Sequence, residues 1–211
     1  MTNTQEWQDP QTIYQLIQNW VIWRDGGDWE RFKTLWHEGA RMHATWFQGP
    51  ALDFIKANQE GWRKGVRIYH SLGGTSIDVQ GDRAIAQTKA AVTQRAEVDG
   101  VECDVTCTCR FYDFLEKQSG RWGIILRQGV YDKDRIDPVE PDAILHLDRQ
   151  LLDAFPKGYR HLAYLQTRIG YTVKKDMPQS EGPELEALYK SGSLWLQGGP
   201  GLPDLLYLLD C

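Results

Sequence analysis

An α+β fold, a cone-shaped barrel in which a curved, mostly antiparallel sheet wraps around N-terminal helices, is what three features of this chain predict. Helical spacing dominates the first sixty residues, long alternating segments separated by tight-turn signals fill the middle, and a segment of mixed helical pattern follows Pro138. A sheet of four long strands in meander order twists strongly enough to close onto a helix layer and leave one end open.

The first helix carries Ile13, Leu16, Ile17, Trp20 and Val21 on one face and reaches about Arg24, with residues 1–9 read as a polar tail and Pro10 in its first turn. Gly26-Gly27 supplies the permissive backbone that ends it. Asp28 is a good N-cap for a second helix through Phe32, Leu35 and Trp36. Asp25 is thereby left at the unfavourable end of the first helix dipole, either solvated there or buried and in need of a partner.

Ala40 to Phe47 alternates and reads as a strand closed by Gln48-Gly49-Pro50, with His43 and Thr45 on one face. A third helix spans Asp53 to Trp62 and ends near Gly65. The strands follow: Arg67 to Val79, Ala84 to Val98, Val101 to Glu116 and Trp122 to Asp132, joined by turns around Gly81, Asp99-Gly100 and Gly120. After them, helical pattern is predicted over Pro141–Phe155 and Gly158–Tyr171, with a short helix around Leu185 to Tyr189. The expected organisation is a domain over 8–135 and an extension over 136–211 that covers the pocket or forms an oligomer contact.

Composition narrows the function classes. The 211 residues carry a net charge of −5 with both signs interspersed, which argues against a nucleic-acid surface or a membrane patch. No run of about 18 apolar residues occurs, and MTNTQEWQDP lacks the basic and apolar regions of a signal peptide, so a cytoplasmic location is expected. Cys103, Cys107 and Cys109 share strand parity, too close along one strand for ordinary disulfides, and the five histidines show no metal spacing. These cysteines and Cys211 read as reduced thiols of core or pocket wall, and no metal or cofactor is expected. Nine Trp and nine Tyr suit either core packing or a cavity for an apolar or aromatic ligand.

The order helix, DGGDW, helix, strand, helix and four strands resembles the SnoaL-like branch of the nuclear transport factor 2-like superfamily over about residues 8 to 135. The most specific stretch is DGGDWERFKTLWHEGARMHATWFQG. Within that superfamily the arrangement is similar to the hexachlorocyclohexane dehydrochlorinase, scytalone dehydratase and bile-acid dehydratase group. The resemblance implies an Asp after the first helix that orients a strand His as a base, with an arginine on the last strand. On this chain those positions are Asp25, His70 in RIYHSLGG and Arg127 in RWGIILRQGVYD. The family often has Tyr or Lys five residues before the acid, where this chain has Trp20.

Neutral imidazole held by a carboxylate on one nitrogen presents the other as a base, so His70, Asp25 and Arg127 are the expected catalytic set. A strand histidine taken alone is more often simply packed. His43, Trp20, Tyr69, Trp46, Tyr112 and Tyr131 are the candidates for substrate contact, and His37 and His161 read as surface or helix-end residues. The expected activity is a cofactor-independent lyase, eliminating water, halide or formaldehyde, or an isomerase, acting on a bulky apolar or aromatic ring compound. A homodimer or homotrimer is expected. The alternatives are a non-catalytic binding or oligomerisation module and a ring-hydroxylating or cyclising enzyme of polyketide type.

Overall fold

The computed structural model describes residues 4–199, with side chains from Gln8 onward. Six strands form one sheet in the order β2-β1-β6-β5-β4-β3. They are β1 (Trp36–Ala44), β2 (Phe47–Pro50), β3 (Ile68–Gln80), β4 (Arg83–Val98), β5 (Val101–Gln118) and β6 (Arg121–Pro138). β1 runs parallel to β6 and every other pairing is antiparallel. This is the expected α+β fold, with the long hairpins turning at Gly81, Gly100 and Gly120 as their positive φ angles allow.

Helix α1 (Thr4–Gly26) lies across the inner face of the sheet and buries Ile13, Ile17 and Trp20 against it. It starts earlier than its sequence suggests: the segment read as a polar tail is already helical at Thr4, and Pro10 lies inside the helix. Asp9 explains how that is tolerated, because it accepts Lys117 Nζ at 2.9 Å and Trp122 Nε1 at 2.8 Å, docking this end of α1 onto β5 and β6. At the other end Gly27 takes φ 73°, and Asp28 N donates back to Trp23 O at 2.8 Å, which closes the helix with a left-handed residue.

Helix α2 is a single turn, Trp29–Lys33, capped by Asp28. Leu35 and Trp36, expected to extend it, are instead drawn into the sheet, where Ile124 N donates to Leu35 O and Trp36 pairs with Ile124. Backbone pairing with β6 overrides the helical spacing of the side chains here. Helix α3 (Ala51–Arg63) packs Phe54 and Ile55 inward.

The chain after β6 folds onto both sides of the sheet. Of the helix expected over 141–155 only α4 (Arg149–Asp153) forms, started late by the Asp148 cap, and Ile144 stays 74% exposed. Helix α5 (Arg160–Arg168) sits over the open end, its first turn tied to β6 by Asp134, which accepts from His161 N at 2.6 Å, His161 Nδ1 at 2.8 Å and Leu162 N at 2.8 Å. Tyr164 and Arg168 also bond Asp99 at the β4–β5 turn. Helix α6 (Pro183–Leu196) is much longer than its Leu185–Tyr189 signal and covers the outer face of the sheet, where Leu185, Leu188 and Trp195 meet Ile85, Tyr112, Phe114 and Leu126.

Ser191-Gly192-Ser193 masks that helix in the sequence, yet Gly192 is what allows it to dock. A Cβ there would run into the Tyr112 hydroxyl. Gly192→Ala is therefore expected to destabilise the fold by about 1–3 kcal/mol, the usual cost of overpacking, read as a lower urea midpoint with an unchanged m value; an unchanged midpoint would contradict this packing.

Candidate active site

The end of α1 delivers Asp25 to the edge strand β3. Its Oδ2 accepts the backbone N–H of His70 at 2.6 Å and its Oδ1 contacts His70 Nδ1 at 2.8 Å. Arg24 Nη1 reaches the same Oδ1 at 3.1 Å. Burial pushes the Asp25 carboxyl upward, but the hydrogen bonds from His70 and the neighbouring Arg24 outweigh it, and the net shift is downward. Burial pulls the His70 pKa below its ordinary 6.5, with the Asp25 hydrogen bond only partly opposing this. An ionised carboxylate only accepts, so Nδ1 carries the proton of the neutral ring and Nε2 is left as a base.

His70 stands in the wall of a cavity of about 50 Å³, room for a few water molecules. Its floor is aromatic: Trp20 meets the His70 ring edge-on at 5.3 Å, and Phe111 lies 6.1 Å away. Inward residues of the strands complete it, namely Met42 and Ala44 of β1, Val92 and Gln94 of β4, and Cys109 of β5. Leu162 and Gln166 of α5 close one side. A neck of about 20 Å³ shares Arg24, Trp46, Ile68, Gln94 and Gln166 with the cavity and adds Asn58, Trp62 and Tyr171.

Trp20, Trp46 and Tyr131 thus line the cavity as the sequence suggests. Tyr131 is fully committed in its wall, its hydroxyl accepting Thr45 N at 3.1 Å. The other substrate-contact candidates lie elsewhere. His43 faces the outer side of the sheet, its Nδ1 3.1 Å from Gln128 Oε1, because it alternates with Met42 and Ala44 of the cavity wall; Thr45 reaches the cavity because β1 ends at Ala44 and the chain turns there. Tyr69 alternates with His70 and is 67% exposed. Tyr112 is outward too, packed on Phe114 and Tyr189 beneath α6.

Arg127 is inward but stands behind the wall. Its guanidinium stacks over Trp20 at 4.4 Å and Phe111 at 4.5 Å and forms a fork with Asp113, Nε–Oδ1 2.6 Å and Nη2–Oδ2 2.7 Å, with both side chains fully buried. Burial raises the Asp113 carboxyl while Arg127 opposes. The arginine that does line the cavity and neck is Arg24, which sequence reasoning passed over. The signal was present: Arg24 follows Trp20 by four residues, so the two share the inward face of α1. Gln94 was missed likewise, although it alternates with Ala90 and Val92.

The three described cysteines are free and buried. Burial pushes the Cys109 thiol up to about 12, with Asp132 adding to the shift, so it serves as wall and not as nucleophile. Cys211 lies outside the described residues. Among the described residues no three His, Cys, Asp or Glu side chains converge so as to hold a metal ion, and no helix is long and apolar enough to cross a membrane.

The sequence pattern of the SnoaL-like domain matches residues 5–128. The chain belongs to that family. Two relatives from Fusarium vanettenii, a PEP2-like protein and pea pathogenicity protein 2, are 40% and 39% identical, each alignment covering 88% of this chain and 84% of the relative, and so reaching well past the family domain. Among solved structures, hexachlorocyclohexane dehydrochlorinase LinA type 2 superposes with a TM-score of 0.53 at 11% identity, over 65% of this chain and 93% of its own. A protein from Novosphingobium aromaticivorans, provisionally named a scytalone dehydratase, superposes with a TM-score of 0.51 at 16% identity, over 67% of this chain and 94% of its own. These likenesses establish a shared cone fold.

The site makes stability depend on pH with a definite sign. His70 and Asp25 both have folded pKa values below their unfolded ones, so the unfolded chain binds more protons and stability falls as pH drops, first below about 6.5 through His70 and then below about 3.8 through Asp25. Between pH 7 and pH 5 the loss of unfolding free energy is expected to be smaller in His70→Gln than in the unchanged protein. Equal losses in urea titrations would contradict the burial of a neutral His70.

Proposed function

We propose that this protein is a cofactor-independent lyase or isomerase acting on an apolar or aromatic ring compound, with His70 as general base. The observation that supports this most strongly is the Asp25–His70 pair at the wall of an aromatic cavity. His70 Nε2 takes a proton from a substrate carbon. In an elimination the C–H electron pair becomes the new double bond while the leaving group departs from the adjacent carbon with its bonding pair. In an isomerisation the imidazolium returns the proton elsewhere on the ring. Asp25 fixes the tautomer and stabilises the imidazolium, so no nucleophile is required.

Help for the leaving group falls to the wall itself under this reading. Arg127, spent on Asp113 behind the aromatic floor, supports Trp20 and Phe111 and does not meet the substrate. Trp20, which lines the cavity, instead offers its indole N–H, which is buried and has no hydrogen-bond partner among the described residues. A six-membered ring needs more room than the cavity has, so entry requires Trp46 and Tyr171, whose rings lie 4.8 Å apart at the neck, to part. The name of one relative ties that relative to pea pathogenicity, which suits an enzyme that alters a small molecule met in a host.

The small cavity favours a second reading, a non-catalytic module whose cone is mostly filled by side chains. Turnover of an identified substrate separates the two. His70→Gln is expected to lower kcat by about 10²–10⁴-fold, the usual contribution of a general base. The kcat/KM profile of the unchanged enzyme is expected to fall on the acid side at a pH below 6.5, where His70 protonates. Full turnover by His70→Gln would overturn the base assignment.

A further inference from the structure

The neck of the cavity is a polar collar above an apolar floor. Three side chains at least nine-tenths buried, Arg24, Gln94 and Gln166, line both the neck and the cavity. Each carries bonding capacity that the described residues leave unused. Arg24 gives Nη1 to Asp25 and Nη2 to Asn58 Oδ1 at 2.6 Å, yet its Nε–H is buried without a partner. The Gln94 amide makes no hydrogen bond to any described residue. Gln166 accepts the Thr45 hydroxyl at 2.7 Å through Oε1, leaving its NH₂ unused.

A buried donor without a partner, as Arg24 Nε–H is, costs about 1–3 kcal/mol, and a water or a ligand acceptor removes that cost. Of the other unpartnered N–H groups of the described residues, that of Trp20 belongs to the floor of this cavity, while those of Trp36, Arg41, Arg127 and Trp195 belong to residues that do not line it. Arg24, Gln94 and Gln166 line one neck, below which lie Trp20, Phe54 and Phe111.

We propose that the ligand of this cavity is a ring carrying a neutral oxygen acceptor, a carbonyl or hydroxyl, held at the neck by Arg24, Gln94 and Gln166 while the apolar ring lies beside His70. This rests on the reading of the cavity as the substrate site and adds the chemical class it selects. A neutral acceptor is favoured over a carboxylate because Arg24 is already charge-matched by Asp25, and that acid one residue away repels a second anion in a site of low dielectric. Gln94 acts here on binding and not on the proton transfer, so its loss falls on KM more than on kcat, whereas Arg24 also braces Asp25.

Three probes of one ring size test this: ethylbenzene, acetophenone and benzoate, titrated into the full-length protein and followed by the indole N–H signals of its tryptophans. Acetophenone is expected to bind about tenfold tighter than ethylbenzene, as one well-made hydrogen bond to a charged donor provides, and tighter than benzoate. Gln94→Leu, which keeps the volume, is expected to shrink the acetophenone preference severalfold while ethylbenzene binding stays the same, and Arg24→Lys, which keeps the cation but loses the guanidinium with its bonds to Asp25 and Asn58, is expected to shrink that preference as well. Equal binding of acetophenone and ethylbenzene, no binding of either, tighter binding of benzoate, or a preference that survives both replacements would overturn the collar assignment. The same titrations in His70→Gln are expected to give the same order, so a failure here is distinct from a failure of the base assignment, which turnover alone decides.

Discussion

The carboxylate of Asp25 is the joint on which this structure turns. It binds the backbone and the side chain of His70 together and is itself braced by Arg24, so the last turn of α1 is fixed to the far edge strand of the sheet. Because β3 is the end of the order β2-β1-β6-β5-β4-β3, that joint holds the curved sheet against the helix along one side of the cone. Under the proposed function the same bonds set up the base. A carboxylate buried at the unfavourable end of a helix dipole is tolerable only with such partners, and the partners it recruits leave one imidazole nitrogen facing an apolar space.

The remaining architecture serves that space. The inward positions of β4 and β5 provide Val92, Gln94, Cys109 and Phe111, while Arg127 and Asp113 form a fully buried pair behind the aromatic floor. A buried pair of this kind adds little net stability, but removing either partner strands the other in a dry interior; here it fixes the planes of Trp20 and Phe111 by stacking. The chain beyond β6 completes the enclosure, α5 over the open end and α6 over the outer face. Asp134 repeats toward His161 the bonding that Asp25 makes to His70, and in that place it anchors a helix start over the open end.

Much of this was legible in the sequence. Gly26-Gly27 and Asp28 marked the break, the turn residues marked the hairpins, and the family pattern placed Asp25 and His70 as partners that the structure brings within hydrogen-bonding distance. The misreadings share a cause, since each concerned a residue whose role depends on a distant element. Leu35 and Trp36 follow helical spacing yet pair with β6; Gly192 looks like a helix breaker yet fits under the Tyr112 hydroxyl; His43 faces away because it alternates with Met42 and Ala44, which face the cavity. Arg127 and Arg24 are equally basic in sequence, and only the fold shows that Arg127 pairs with Asp113 away from the cavity while Arg24 pairs with Asp25 in its wall. The collar residues Gln94 and Gln166 lie 72 positions apart, on a strand and on a helix of the extension, and no local pattern joins them.

The central claim is that Asp25 holds His70 as the neutral tautomer with the proton on Nδ1 and a basic Nε2 toward the cavity. Nitrogen-15 NMR of the imidazoles at pH 7, with His70 assigned by its loss in His70→Gln, reads this directly. The account predicts a protonated Nδ1 and an unprotonated Nε2, persisting to a pH below 6.5. A proton on Nε2, or an imidazolium at pH 7, would contradict it.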